Sequence, residues 1–173
     1  MNKSYETLSA LLEKTMALQT ALILFEWDNE TLAPQEAGPQ TSKVVGILSE
    51  EYYMAMTGEE MGEAISACEE QKDLSSVEQA IVREAKEARE NLVCIPSKEY
   101  RENAELIADS ARIWSKAKKE EDFETFAPVL EKVIYFKKKF ASYRRKEGQS
   151  LYDVMLEEYE KDFNTELLDE FFG

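Results

Sequence analysis

Apolar residues recur every three or four positions along most of the chain, which is the spacing of one face of an α-helix. The first segment shows this spacing most clearly, and Ser4 is the expected N-cap before it. No segment longer than a few residues alternates with the period of two that a strand requires. The pattern predicts an all-α fold of about eight helices in an irregular, mostly antiparallel array. The apolar face of the first helix comprises Leu8, Leu11, Thr15, Leu18, Leu22 and Phe25.

The boundaries between the predicted helices are marked by Gly, Pro and polar residues that favour N-cap positions. Residues 26–39 combine Trp, Asp, Asn, Pro and Gly and are predicted to form a loop, with the second helix beginning after Pro39. Thr57 and Glu60 have the capping-box spacing at the start of a third helix. Gly148 is predicted to end the sixth helix. The other predicted N-caps are Ser75 with Ser76, Ser97, Asp122, Ser150, and Asn164 with Thr165.

The fourth and fifth helices carry apolar faces at the same spacing, and we expect these faces to lie in the core. Large aromatic side chains are also interpreted as core anchors, because aromatic residues dominate core burial. The fourth-helix face comprises Val77, Ile81, Ala85, Ala88 and Leu92, and the fifth-helix face comprises Tyr100, Ala104, Ile107, Ala111 and Trp114. The aromatic anchors are Trp27, Tyr100, Trp114, Phe126 and Phe140.

The length of 173 residues predicts a single helical domain or subdomain over residues 1–173. Hydrophobic residues make up 43% of the chain and charged residues 33%, as in ordinary globular proteins. Acidic residues outnumber basic ones by 36 to 21, so the net charge is −15. Such a surface repels phosphate groups and anionic lipids, and we therefore expect neither a nucleic-acid partner nor a membrane partner.

Cysteine usage and the absence of a targeting pattern predict a cytoplasmic protein. Cys68 and Cys94 are too few for a secreted disulfide scaffold and are interpreted as reduced core thiols. The longest apolar stretch, residues 16–25, is shorter than the ~20 residues that span a bilayer. It also lacks the basic region and the cleavage site of a signal peptide.

Histidine is absent from the chain, which excludes Ser-His-Asp triads and His-ligated zinc. Cys68 and Cys94 lack the C-x-x-C spacing of a zinc site. Asp153 and Glu157 share a helix face, but 36 acidic residues produce such pairs by chance, and a solvated acidic face is the simpler interpretation. We assign no catalytic and no metal-binding residue, and the substrate-binding residues are unknown. The acidic clusters comprise Glu59, Glu60, Glu63, Asp153, Glu157, Glu158 and Glu160.

Six cations and no acid fall within residues 137–146. This run has two interpretations: a binding strip for an anion or an acidic partner, or cations that favour the C-terminal end of a helix macrodipole. The macrodipole is a sufficient cause and is the preferred interpretation. The cations are Lys137, Lys138, Lys139, Arg144, Arg145 and Lys146.

Four segments carry motifs that occur together in one enzyme family. Residues 25–34 read Phe-Glu-Trp-Asp-Asn-Glu-Thr-Leu-Ala-Pro, and residues 95–96, Ile-Pro, are followed by Trp-Ser-Lys-Ala at 114–117. Residues 122–130 read Asp-Phe-Glu-Thr-Phe-Ala-Pro-Val-Leu, and residues 151–160 read Leu-Tyr-Asp-Val-Met-Leu-Glu-Glu-Tyr-Glu. In this order, the segments resemble the N-terminal signature of the carboxypeptidase Taq family. These are zinc metallocarboxypeptidases that remove C-terminal residues from peptides.

The chain departs from the family pattern at three places. Ala33 stands where Met usually precedes the proline, and Ser42 or Lys43 lies near the position of a common Arg. Lys161 and Asp162 replace the usual Pro-Gly. These departures indicate a divergent member, and none of them concerns a metal ligand.

The resemblance implies that the chain is the N-terminal helical part of a longer metallopeptidase, called here the parent enzyme. In the family, a His-Glu-x-x-His helix and a later Glu hold the zinc, and the Glu of the motif is the general base. Without His, no such role can be carried over to this chain, and the chain alone is expected to be inactive. The resemblance also implies a peptide substrate for the parent enzyme, a place for this part in the wall of the substrate groove, and a homodimer.

A stand-alone acidic helical binding protein derived from that region is the alternative. The two readings differ because part of an enzyme should expose apolar surface that the rest of the enzyme buries. The N-terminal region of an oligoendopeptidase-type metallopeptidase is a weaker alternative, since residues 122–130 and 152–160 favour the first family. Metal storage on acidic helices is a further one, but no loop has the convergent oxygens of a calcium site. The exposed surface is expected near Leu167, Leu168, Phe171 and Phe172.

Overall fold

The computed structural model describes residues 2–173, apart from the side chain of Gln35. Within these residues the chain forms eight α-helices and a short 3-10 turn and contains no strand, so the all-α prediction is confirmed. The helices are α1 (Lys3–Thr31), α2 (Gly38–Thr57), α3 (Glu59–Glu69), α4 (Ser76–Val93), α5 (Ser97–Glu120), α6 (Phe123–Arg144), α7 (Leu151–Leu156) and α8 (Thr165–Phe172). The 3-10 turn, Gln35–Ala37, precedes α2.

Four predicted N-caps are confirmed, because their side chains accept hydrogen bonds from the first turn of the helix that follows. Ser75 and Ser150 each form a complete capping box, with Glu78 and Asp153 respectively. Asp122 accepts a hydrogen bond from the amide of Thr125, and Asn164 accepts one from the amide of Leu167. Each of these caps acts over three residues, which makes it visible in the sequence.

Three other predicted N-caps and the predicted end of the sixth helix were wrong, whereas α2 begins within two residues of its predicted start. Asn2, not Ser4, caps α1, and Ser97 is the first residue of α5 because Pro96 occupies the N-cap position. Thr57 does not form a capping box: it is the last residue of α2, and its hydroxyl donates to the carbonyl of Tyr53. The sixth helix ends at Arg144, before the turn that contains Gly148.

The predicted loop over residues 26–39 was also wrong, because α1 continues as a helix to Thr31. The hydroxyl of Thr31 donates to the carbonyl of Trp27, and the amide of Asn29 donates to the carbonyl of Ala108 in α5. Polar side chains that ordinarily disfavour a helix interior are thus accommodated here, because their hydrogen bonds are made within the helix or to α5. The helix ends at Leu32, two residues before Pro34, where a following proline commonly stops a helix.

The hydrophobic core lies between the N-terminal half of α1 and the helices α2, α3 and α4. Met61, Ile65 and Cys68 of α3 are buried in this core, as expected for Cys68 as a core thiol. Cys94 is only half-buried, and both cysteines are free thiols. The buried core residues include Leu8, Met56, Met61, Ala64, Ile65, Cys68, Leu74, Val82, Ala85 and Leu92.

Several predicted core residues face solvent instead. Val77, at the start of α4, is exposed, and so are Ile107 and Trp114 on α5. Of the aromatic anchors only Phe140 is fully buried, and Trp27 is 56% exposed. Helical periodicity identifies the apolar face of each of these helices, but the described chain supplies nothing that covers the whole of that face.

The helix α1 is long and apolar enough, by length and composition, to cross a membrane, with a mean hydropathy of 1.3 in its most apolar window. The sequence-based length estimate was therefore wrong, because the helix extends beyond residues 16–25 at both ends. Only 11% of that window is buried within the structure. An apolar and largely uncovered helix is thus the main unusual feature of the fold.

Candidate functional site

A groove between α1 and α5, with α2 below it, is the candidate functional site. It encloses about 320 Å³. Residues of α1 and α5 form its two sides, and Val45 and Ser49 of α2 contribute to its lining. Its side residues include Leu22, Phe25 and Asn29 of α1, and Tyr100, Ala104 and Ile107 of α5.

The sequence creates this groove through side-chain size. Helical spacing places Leu22, Phe25 and Asn29 on one face of α1. On α5, the small residues Ala104, Ala108 and Ala111 recur at the same spacing. Because the small side chains of α5 face the larger ones of α1, the side chains of the two helices do not fully interdigitate, and a space remains between the helices.

The groove is mainly apolar, with polar groups among its lining residues. Glu26, Glu30 and Asn103 line it, and the side-chain amide of Asn29 donates to the carbonyl of Ala108 at 3.3 Å. Burial, with a smaller contribution from the nearby Tyr52, raises the pKa of Tyr100 to about 12, so this phenol is neutral at physiological pH. The lining contains neither histidine nor cysteine, and its chemistry suits the binding of an apolar side chain rather than nucleophilic catalysis.

Two tyrosines hold the start of α5 against α2. The rings of Tyr53 and Tyr100 lie 5.3 Å apart, and the hydroxyl of Tyr53 donates to the carbonyl of Ile95 at 2.7 Å. Because Tyr100 also lines the groove, this contact fixes one side of the site through packing and a hydrogen bond.

The segment 25–34, which carries the Trp-Asp motif, lies at this groove. Phe25, Glu26, Asn29 and Glu30 line it, whereas Trp27 points away and is exposed. Sequence reasoning missed the groove because it treated residues 26–39 as a loop. Continuing the three-and-four spacing of Leu22 and Phe25 to Asn29 would have placed these side chains on one helix face.

The other three motif segments lie elsewhere in the structure. Residues 95–96 precede α5, residues 122–130 begin α6, and residues 151–160 include α7. The motifs therefore mark helix boundaries and packing positions and do not assemble one site.

The acidic cluster around α7 has structural partners. The Oδ1 atom of Asp153 accepts hydrogen bonds from the amide and the hydroxyl of Thr165, at 2.9 and 2.7 Å. Hydrogen bonds from Ser150, then from Thr165, lower the pKa of Asp153 to about 2. Glu157 accepts a hydrogen bond from Gln149, and Glu158 pairs with Lys137 and Arg144. The interpretation of Asp153 and Glu157 as a merely solvated acidic face is therefore incomplete.

Three of the six cations in the basic run of residues 137–146 pair with acids of the same chain. Lys137 and Arg144 both contact Glu158, and the Nζ atom of Lys139 lies 2.8 Å from Glu99. The ion pair with Glu99 raises the pKa of Lys139, and the hydrogen bond from Lys139 lowers the pKa of Glu99. These contacts hold α6 to α5 and to the turn after α7, and they leave less positive charge for an anionic ligand than the sequence suggests.

Metal-ligating groups do not converge in the part of the chain that the structure describes. Residues 2–173 contain no group of three or more Cys, Asp or Glu side chains that could hold a metal ion. The residues present therefore do not fit the catalytic zinc that the family resemblance implies.

Comparison with known proteins identifies the family. The sequence pattern of the Carboxypeptidase Taq (M32) metallopeptidases matches residues 7–173. Carboxypeptidase 1 of Bacillus subtilis (strain 168) is 31% identical over 164 residues, which are 94% of this chain and 32% of that protein. Thermostable carboxypeptidase 1 of Pyrococcus furiosus is 26% identical over 171 residues, 99% of this chain and 34% of that protein.

Solved structures agree with the sequence comparison. The crystal structure of BsuCP has a TM-score of 0.94 at 30% identity, and the solved structure of Pyrococcus furiosus carboxypeptidase has a TM-score of 0.79 at 26% identity. Both alignments cover 99% of this chain and 34% of the other chain. The chain thus spans about a third of the length of the relatives it matches. With a match over nearly all of its residues, the chain belongs to the Carboxypeptidase Taq (M32) metallopeptidase family.

Proposed function

We propose that this chain is the N-terminal helical part of a zinc carboxypeptidase that removes C-terminal residues from peptides, and that its role there is structural. The observation that carries the proposal is the extent of the match: the family pattern covers residues 7–173, yet the chain spans only 32% of the Bacillus relative. In the parent enzyme, the helices of this part form a wall of the substrate groove.

The zinc and its ligands belong to the rest of the parent enzyme in this proposal. A His-Glu-x-x-His helix supplies two imidazole ligands and a carboxylate base, and this chain contains no histidine at all. What the chain contributes is rigid shape, through the tyrosine contact between α2 and α5 and the ion pairs that join α6 to α5 and to the turn after α7.

The cellular setting of the parent enzyme is part of the same proposal. Two free cysteines in 173 residues favour the cytoplasm. The net charge of −15 disfavours nucleic acids and anionic membranes as partners. A homodimer rests on the family resemblance alone.

A peptidase assay of the isolated chain tests the division of roles. The chain is purified without a histidine tag, since a tag would itself bind metal, and is incubated with zinc or cobalt and a blocked dipeptide. We expect no release of the C-terminal residue, while the full-length Bacillus relative serves as the positive control. Metal-dependent release that a chelator abolishes would contradict the proposal.

A further inference from the structure

The outward face of α1 forms an apolar stripe that no other part of residues 2–173 covers. No charged residue occurs from 15 to 25, although 33% of the chain is charged. Ile23 is 62% exposed and Leu24 is 60% exposed, and Met16 and Trp27 are similarly open. We call this surface the α1 stripe; it consists of Met16, Ala17, Thr20, Ile23, Leu24 and Trp27, and Ile23 also borders the groove between α1 and α5.

The composition of the α1 stripe is that of an interface. A helix at the surface of a soluble protein normally turns a polar face to water, and a helix that is apolar all round is normally buried on every side. The one polar member, Thr20, directs its hydroxyl to the carbonyl of Met16 at 2.8 Å, so it offers little to solvent. A contiguous apolar patch of this kind on a soluble protein marks a contact surface.

A second apolar feature continues the α1 stripe on the side of α4. The space between the two helices amounts to about 520 Å³ and is lined by Leu12 and Met16 of α1 and by Val77 and Ile81 of α4. It explains why Val77 is exposed despite lying on the apolar face of its helix. The α1 stripe and this space between α1 and α4 together form one apolar surface. Another apolar helix can pack onto it by inserting its side chains into that space.

The length of the relatives identifies the occupant. They match 94–99% of this chain but are about three times as long, so each carries roughly twice as much additional polypeptide beside the matching third. We propose that the α1 stripe is the surface on which this remaining part of the parent polypeptide packs. The inference rests on the proposed function, because it takes the parent enzyme to be longer than this chain.

Other occupants fit less well. A second copy of the chain on this stripe would bring two bodies of charge −15 together, with Glu13 and Glu30 of both copies near the ends of the stripe, so the homodimer of the proposed function is expected to use another surface. Insertion of α1 into a bilayer core ~30 Å thick would take up most of the helix, including Leu8 and Thr15, which are buried against the rest of the chain. The charge of the chain also disfavours anionic lipid surfaces.

Thiol labelling measures whether the stripe is covered. Two variants are made in a Cys94→Ser background, in which the only remaining native cysteine, Cys68, is buried. Ile23→Cys places a thiol on the stripe, and Lys72→Cys places one in the exposed turn after α3. Each variant is prepared as the 173-residue chain and also joined to the two-thirds of the Bacillus relative that this chain does not match. The rate of labelling by a neutral maleimide is read by mass spectrometry of the peptide that carries the variant residue.

We expect the Ile23→Cys variant to label slower by about tenfold or more in the joined protein, because the reagent must wait for the covering part to open. The Lys72→Cys variant should label at the same rate in both proteins. Equal rates for Ile23→Cys would overturn the inference, as would protection of the chain alone at high concentration or on added vesicles. Peptidase activity of the joined protein reports separately on the proposed function: an active protein with an unprotected stripe contradicts this inference only.

A second measurement uses the chain alone. The double variant Ile23→Gln with Leu24→Gln should leave the urea midpoint of unfolding unchanged and reduce the fluorescence of a bound hydrophobic dye. Leu8→Gln, on the same helix but buried, is the matched control and should lower the midpoint. A large loss of stability in the double variant would show that the chain itself packs against the stripe, and would overturn the inference.

Discussion

Asp153 fixes the approach of α8 to α7 through both of its carboxylate oxygens. The Oδ2 atom accepts a hydrogen bond from the hydroxyl of Ser150 at 2.6 Å, completing the cap of α7. The Oδ1 atom accepts two hydrogen bonds from Thr165, the first residue of α8. One residue thus satisfies the starts of two helices, which is a structural explanation for the acid of the Tyr-Asp motif.

The lowered pKa of Asp153 predicts a pH range for this contact. The folded pKa is about 2, below the ordinary 3.8 of an unfolded aspartate, so the ionised form is stabilised by folding. The contribution to stability is complete above pH 3.8 and is lost as the pH falls toward 2. We expect carboxyl NMR titration to place Asp153 near 2 and the signals of α8 to change in the same range. A Thr165→Val control should move the pKa upward. An Asp153 pKa at the ordinary value would contradict the contact.

The sequence predicted one half of the Asp153 arrangement. The capping box with Ser150 acts over three residues and can be read directly from the chain. The bond to Thr165 spans twelve residues and depends on the turn over residues 157–164, whose path no local pattern specifies. Helical spacing placed Asp153 and Glu157 on one face, which was reasonable. It did not identify Thr165 as a hydrogen-bond partner of Asp153.

At the scale of elements, the most extensive helix packing occurs between α2 and α5. The side of α2 that packs inward carries the small buried residues Gly38, Ser42, Gly46 and Ser49. Small side chains at this spacing let two helix backbones approach closely. Above Gly46 lies Glu105, which pairs with Arg101 at 3.0 Å, and Arg101 also reaches Glu50 of α2 at 2.7 Å.

Gly46→Ala tests this packing. The added methyl group would overlap the Glu105 side chain at its Cγ atom as well as its carboxylate, so α5 must move or the pair with Arg101 must break. We expect a loss of about 1–3 kcal/mol in the free energy of unfolding, as for other overpacked sites, despite the higher helix propensity of alanine. Urea denaturation measures it, with Ile47→Ala at the exposed neighbouring position as the control. Unchanged stability of Gly46→Ala would contradict the close approach.

Helix number and four of the eight helix starts could be predicted from sequence, whereas the burial of the apolar faces could not. Periodicity located the apolar faces of α4 and α5, but Val77 and Trp114 proved to be exposed. The pattern of apolar side chains specifies which face of a helix is stabilised by burial. It does not specify whether the surface that buries this face belongs to the same chain. The same reason explains the groove beside α1: its two sides come from segments almost eighty residues apart.

At the scale of the whole molecule, large apolar side chains are exposed at several places, and two of them bear on the account. One is the α1 stripe, and the other is the end of α8, where Phe171 is 77% exposed and Leu167 and Phe172 are also open. Exposure of apolar side chains at this second region agrees with the expectation for part of a larger enzyme. Motifs in the sequence were sufficient to predict the family, because four short segments in order are specific even when each alone is not.

The central claim is that this chain works as one third of a larger carboxypeptidase. The size of the native protein in its own cells, measured by immunoblot with an antibody against the purified chain, tests the claim most directly. The account predicts a band at roughly three times 19.9 kDa, the proportion seen in the relatives. A single band near 20 kDa would contradict it and would favour a stand-alone helical binding protein.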